Sequence, residues 1–253
     1  ETTTGAHITK VAADSIKRVS LELGGKSPNI IFDDADLDLC VEKSVWSVFG
    51  NTGQDCCARS RAIVHRKVYD KFLDKFVART KKIVIGHPEK KGVQMGPMIS
   101  AKQRESVCKY IDAGRAEGAK LLCGGTRPGG SLAKGYYLTP AVFADCGTKM
   151  KIVQEEIFGP VLTVLSFKDE DEAIRLANDS PYGLSGSLWT RDVGRVLRVT
   201  RAMQTGVISV NTSTSVHLEA PFGGYKTSGL GRELGLKSLD LYSEVKNVFI
   251  SSL

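Results

Sequence analysis

Short runs of apolar residues alternate along this chain with longer stretches in which apolar positions recur every three or four residues. "NIIF" (29–32) is one such run, and Asp33, Asp34 and Asp36, acidic residues suited to a helix start, separate it from the mixed stretch "DLDLCVEKSVWSVF". That order predicts a strand and then a helix. "RAIVH" (61–65) predicts a second strand, and Val68, Phe72, Leu73, Phe76, Val77 and Ile83 lie at helical spacing through 67–84. The alternation continues with a helix over 101–117 and strands at "KLLCG" (120–124), "YYLTP" (136–140) and 161–167. A helix over 170–178, a strand at "LSGSLW" (184–189), a helix over 192–204 and a strand at "GVISV" (206–210) complete it. Near-continuous apolar strands separated by amphipathic helices predict an α/β fold, its mostly parallel sheet covered by helices on both faces.

Composition narrows the picture without redirecting it. With 253 residues, 42% hydrophobic and 25% charged, the chain can bury the core of one large domain with an appendage. Its longest apolar runs, such as "VLTVLSF" (161–167), are strand-sized, far short of the roughly 20 residues of a membrane span. No membrane association is expected. The net charge of +7 comes from 35 basic residues interspersed with 28 acidic ones, a pattern of a solvated surface rather than of nucleic-acid binding. Cys40, Cys56, Cys57, Cys108, Cys123 and Cys146 show no Cys-x-x-Cys spacing, and the four histidines stand apart from them in sequence. No metal site and no disulfide framework are expected, and reduced thiols point to the cytoplasm. The chain opens on Glu1 with neither a signal nor a transit pattern, so it reads as starting inside a longer protein.

Four stretches could carry chemistry. In "GNTGQDCCARSR" (50–61) two cysteines are adjacent. Neighbouring side chains diverge on a helix or a strand, so only one of the pair should face a given site. Either cysteine could be an inert packed residue or a nucleophile, with Arg59 and Arg61 close in sequence to support a thiolate. In "LELGGKSPN" (21–29) Glu22 lies in an apolar run that ends at Gly24 and Gly25. A carboxylate so placed is either a general base of raised pKa or the partner of Lys26 in an ion pair. "QEEIFGPVL" (154–162) carries Glu155, Glu156 and Phe158 before a Gly-Pro break, and "PFGGYKTSGLGRELG" (221–235) is a glycine-rich loop without full phosphate-loop spacing.

Taken together and in this order, these stretches resemble the aldehyde dehydrogenase superfamily over nearly the whole chain. The resemblance implies that Cys56, second after the glutamine of Gly-Gln-x-Cys, is the nucleophile and that Glu22 is the general base. It implies that Glu156 and Phe158 hold the nicotinamide ribose and flank the ring, that Leu23 and Gly24 line the nicotinamide pocket, and that Phe222 and Cys57 border the aldehyde. The implied reaction oxidises a small-molecule aldehyde to a carboxylic acid with NAD or NADP through a thiohemiacetal and a thioester on Cys56.

The chain also departs from the family pattern. An upstream cofactor domain is missing, and "ETTTG" (1–5) matches only the tail of the family's Gly-Ser-Thr-x-x-Gly turn. The implied division is a cofactor-domain remnant over 1–24, a catalytic domain over 25–223, and a return and oligomerisation segment over 224–253. The last of these ends in the apolar tail "LYSEVKNVFISSL" (241–253), expected to pair with another copy in a homo-oligomer. Without the upstream oxyanion donor, whose loss alone typically costs about 10²- to 10³-fold, the chain by itself is expected to be inactive. Loop 211–220, "NTSTSVHLEA", holds no aromatic anchor for a quaternary ammonium, which does not favour a betaine aldehyde. The competing readings are a cysteine-dependent hydrolase or esterase using His65 or His217, and a structural protein that keeps the dehydrogenase fold.

Overall fold

The computed structural model describes residues 1–252. The helices are α1 (Thr2–Ala13), α2 (Leu37–Phe49), α3 (Tyr69–Thr80), α4 (Ala101–Ala116), α5 (Lys151–Gln154), α6 (Glu170–Asn178) and α7 (Val193–Ala202). The strands are β1 (Leu21–Glu22), β2 (Pro28–Ile31), β3 (Arg61–His65), β4 (Lys120–Cys123), β5 (Ala141–Ala144) and β6 (Val161–Phe167), followed by β7 (Tyr182–Gly183), β8 (Ser185–Trp189), β9 (Val207–Val210), β10 (Tyr225–Lys226) and β11 (Gly229–Leu230). Seven of them form one sheet in the order β4-β5-β6-β3-β2-β8-β9, in which only the β4–β5 pair is antiparallel.

Side-chain alternation along the strands builds a core on each face of this sheet. Ile63, Phe143 and Leu165 point to one face, where Val107 and Ile111 of α4, Leu176 of α6 and Val199 of α7 cover them. Ala62, Val64, Val142 and Val164 point to the other, against Val41, Val45 and Phe49 of α2 and Phe72 and Phe76 of α3. Four of the helices, α2, α4, α6 and α7, begin where the sequence supplies a capping oxygen: Asp36, Ser100, Asp169 and Asp192 each accept the N–H of the residue three positions on.

Three local differences have physical causes. "YYLTP" is not a strand: Thr139 exchanges hydrogen bonds with Gly125 and Thr126, and pairing with β6 begins only after Pro140, whose ring offers no N–H. α3 ends at Thr80 rather than 84, because the chain turns there to bridge Ile85 to Met95, and Ile83 reaches the core from outside the helix. The tail after Leu241 forms no strand among the described residues, and its Val245, Val248, Phe249 and Ile250 are exposed.

All seven strands of the sheet fall between residues 28 and 210. The flanking segments meet each other and the sheet's periphery: β1 pairs with β11, and β10 pairs with β7.

Candidate active site

The connection from α2 to β3 carries both adjacent cysteines. Asn51, Thr52 and Gly53 follow one another with φ of 48°, 58° and 70°, a left-handed run that costs on the order of 1–3 kcal/mol at each non-glycine residue. It persists because its surroundings hold it. Thr52 Oγ1 donates to the Gly96 carbonyl at 3.1 Å, Asn51 Nδ2 to the Gln54 carbonyl at 2.9 Å, and Gln54 Oε1 accepts the Ile99 N–H at 2.9 Å.

Three glycines let the sequence motifs converge on this turn. A Cβ on Gly25 would lie 2.4 Å from the Cys56 carbonyl oxygen, one on Gly53 2.2 Å from the Gly159 carbonyl oxygen, and one on Gly24 2.1 Å from Glu156 Oε2. The backbone contacts at Gly25 and Gly53 exclude any larger residue, and at Gly24 the neighbour is the end of the Glu156 side chain. The glycines thus bring the stretches 21–29, 50–61 and 154–162 onto a single junction.

Only one of the adjacent cysteines faces the main cleft, as expected: Cys56 lines it, while Cys57 is buried and turns towards a second cavity. The Asp55 carboxylate and both sulfurs lie within 4.8 Å of one another, and the Cys57 N–H donates to Asp55 Oδ1 at 2.8 Å. The adjoining Cys57 thiol lowers the Cys56 thiol pKa, against burial and the negative charges of Asp55, Glu156 and Glu22, while the same interaction and burial push the Cys57 thiol up. Burial pushes Cys40 and Cys146 up to about 12 and also raises Cys123.

Glu22 is placed from the other end of the chain. β1 pairs with β11, the Leu23 N–H donates to the Ser228 carbonyl at 3.0 Å, and Ser228 Oγ donates to the Gly24 carbonyl at 2.7 Å while accepting the Gly183 N–H at 2.9 Å. Burial, then the Glu233 charge, raise the Glu22 pKa to about 7, with Arg232 opposing. Its Oε2 is buried without a hydrogen-bond partner among the described residues. The alternative ion pair with Lys26 does not form: Lys26 is 1% exposed, its Nζ has no partner among the described residues, and burial lowers its pKa to about 7.

A cleft of about 760 Å³ brings together six of the eight anticipated residues: Cys56, Glu22, Leu23, Gly24, Glu156 and Phe158. Glu156 is half-buried, accepts the Gly25 N–H at 3.1 Å, and has its pKa raised by burial. Phe158 is 40% exposed with φ of 53°, and Gln103 Nε2 holds its carbonyl at 2.9 Å. Left-handed backbone at a phenylalanine on a cleft wall is strained.

The other two residues lie elsewhere. Cys57 lines a second cavity, of about 440 Å³, with Asp55, Trp46 and residues 212–216. Phe222 borders neither cavity; it is half-buried and exchanges two backbone hydrogen bonds of 2.7 Å with Glu233. The sequence reading missed Gln103, Ser106 and Tyr110, which line the main cleft from α4. Their spacing of three and four residues marks one helix face, a signal present in the sequence. It missed the start of α1 as well, where Thr2 and Thr3 reach the cleft and Gly5 packs directly on Leu23. Neither His65 nor His217 lines it.

The fold and cleft define an α/β domain in which an acidified thiol and a carboxylate poised near neutrality share one cavity. The sequence model described as the aldehyde dehydrogenase family matches residues 1–248, and the chain belongs to that family. It is 45% identical over 247 residues to betaine aldehyde dehydrogenase of Bacillus subtilis (strain 168), covering 97% of this chain and 50% of that protein. It is 46% identical over 245 residues to the chloroplastic betaine aldehyde dehydrogenase of Atriplex hortensis, covering 97% and 49%. Among solved structures, a point mutant of aldehyde dehydrogenase from Bacillus cereus superposes with a TM-score of 0.96 at 44% identity, covering 99% of this chain and 50% of that one. A betaine aldehyde dehydrogenase from Staphylococcus aureus, in complex with NAD+, gives 0.93 at 45% identity, covering 95% and 48%. The chain therefore spans about half the length of the relatives it matches.

Proposed function

We propose that the protein to which this chain contributes oxidises an aldehyde to a carboxylic acid with a nicotinamide cofactor, Cys56 acting as nucleophile and Glu22 as general base. The observation that carries this reading is the shared cleft, in which the Cys56 thiol is acidified and Glu22 has a pKa of about 7. The residues present fit a dinucleotide's nicotinamide end. The bare backbone of Gly24 leaves room beside Glu156, whose carboxylate can accept both hydroxyls of a ribose, and Phe158 presents a half-open ring to the same space. The complex of a structural neighbour with NAD+ favours NAD over NADP.

Cys56 thiolate attacks the aldehyde carbon, forming a C–S bond and an oxyanion. A bound nicotinamide supplies acceptance of the hydride lost from that carbon, which leaves a thioester on Cys56. Glu22 then takes a proton from water as the water oxygen attacks the thioester; the C–S bond breaks, the acid departs, and the thiolate is restored. A base with a pKa of about 7 is charged often enough to act and basic enough to accept the proton. A thiol hydrolase would need a histidine beside Cys56, and His65 and His217 lie outside the cleft.

Relatives named for betaine aldehyde suggest that substrate, but loop 211–220 lacks an aromatic anchor for its ammonium group, so we hold the substrate to the aldehyde class. The division at residues 24 and 223, homo-oligomerisation through the exposed tail, and inactivity of the isolated chain belong to the same proposal. Iodoacetamide at neutral pH should label Cys56 ahead of the other five cysteines, read by peptide mass spectrometry. Even labelling of all six would sink the proposal.

A further inference from the structure

Arg59 is 1% exposed and has no carboxylate within ion-pair distance among the described residues. A buried, unpaired guanidinium is expensive to keep. Its hydrogen bonds go instead to four separate parts of the fold. Nη1 donates to the Cys57 carbonyl at 2.6 Å, Nε to Ser187 Oγ on β8 at 2.7 Å, and Nη2 to Ser215 Oγ at 2.8 Å and to Ser209 Oγ on β9 at 3.4 Å. The serines are themselves linked: Ser185 and Ser215 hydroxyls meet at 3.1 Å, and Ser209 Oγ donates to the Thr214 carbonyl. Thr214 and Ser215 belong to the loop that walls the cavity beside Cys57.

We propose that Arg59 is a positioning residue for the Cys56 nucleophile, clamping the cysteine turn to loop 211–216 so that the sulfur and the wall of the neighbouring cavity are held as one unit. This rests on Cys56 being the nucleophile. Only a rigid planar fork can satisfy these acceptors together; a lysine ammonium is a single point donor on a flexible stem. The cation has a second effect. Cys56 is faced by Cys57 and Asp55 on its own turn, Glu22 from β1 and Glu156 from the loop after α5. Lys43 and Asp55 border the adjoining cavity. Arg59 is thus a fixed positive charge behind this turn whose field acts on Cys57, the immediate neighbour of Cys56, and a nearby cation favours a thiolate.

The test is the rate of Cys56 alkylation by iodoacetamide against pH in this chain, with melting temperature measured alongside, for wild type, Arg59→Met, Arg59→Lys and Ser215→Ala. Arg59→Met is expected to slow labelling at pH 7 about tenfold and move its midpoint to higher pH. Arg59→Lys should return the midpoint towards wild type while leaving the plateau rate reduced, and Ser215→Ala should slow labelling about two- to threefold without moving the midpoint. A purely structural role would lower the melting temperature and leave the midpoint in place. Folded Arg59→Met with wild-type rate and midpoint overturns the proposal; if that variant does not fold, wild-type behaviour of both Arg59→Lys and Ser215→Ala does so. Wild-type protein in which Cys56 is not preferentially labelled refutes the nucleophile itself, a separate outcome.

Discussion

The two chemical groups of the cleft are delivered by opposite means. Cys56 sits on a turn between α2 and β3, next to the middle of the sheet, and its position is fixed by local left-handed backbone and by glycine contacts to neighbouring loops. Glu22 sits on a two-residue strand whose hydrogen bonds run to residues more than 200 positions away in sequence. Contacts that pin a left-handed turn hold the thiol in place, whereas the acid depends on closure of the chain's two ends. Damage to segment 222–235 should therefore disable the base and spare the nucleophile, and damage to 50–56 should do the reverse.

The sharpest way to break this comparison is at the two groups themselves. In the complete enzyme Cys56→Ala should abolish aldehyde oxidation, a loss of at least about 10⁴-fold in kcat, while Cys57→Ser should stay within about tenfold because only a neighbour of the thiol is altered. Equal losses would mean the nucleophile has been misassigned between neighbours. Glu22→Gln should reduce steady-state turnover by about 10²- to 10⁴-fold but leave the first turnover nearly intact. Rapid-mixing measurements should then find a burst of reduced cofactor followed by a slow phase. A variant that loses the burst as well would place Glu22 in thiolate formation.

Smaller effects separate the two supports. Gly53→Ala forces a Cβ to 2.2 Å from the Gly159 carbonyl oxygen at φ 70°, and Gly229→Ala forces one to 1.9 Å from the Leu21 carbonyl oxygen at φ 147°. Each should cost about 1–3 kcal/mol of stability in urea unfolding. Gly53→Ala is expected to slow Cys56 alkylation with little change in thioester hydrolysis, and Gly229→Ala to slow hydrolysis with little change in alkylation. If both variants shift both rates equally, the two sides form one mechanical unit.

The same contrast decides what the sequence could disclose. β2, β3, β6 and β8 with α2, α4 and α6 follow from apolar periodicity and capping residues, because one face of each element must meet the sheet or its cover. The four motifs point to Cys56, Glu22, Glu156 and Phe158. Periodicity says nothing of the left-handed run at 51–53, which is held by a partner as distant as Gly96 and needs glycine at 53 for the close approach of the Gly159 carbonyl. That only one of the adjacent cysteines faces the cleft was legible, but which partners fix the turn that carries them was not. Arg59 and Arg61 are equally opaque. Both are buried, but Arg59 serves the cysteine turn, whereas Arg61 donates to the Leu176 and Ala177 carbonyls at the end of α6, where a cation suits the helix dipole.

The smallest expected effect tests the electrostatics of the two sides by sign. Glu22 has a folded pKa of about 7, raised from 4.5 first by burial. The fold therefore prefers its protonated form, and the stability it contributes is fully present below pH 4.5 and lost as pH rises through about 7. Glu22→Gln removes this dependence. Its melting temperature should match wild type near pH 4.5 and exceed it above about pH 7, by only about one or two degrees because Glu22 is only half-buried. Cys56 has the opposite sign: its thiol pKa is lowered from 9.0, so its contribution is present above pH 9.0 and lost as pH falls through the folded value. Cys56→Ser should accordingly lose ground to wild type at alkaline pH, where Glu22→Gln gains it. Melting curves of both variants from about pH 4.5 to about pH 9.5 would contradict the assignment if the two differences ran in the same direction.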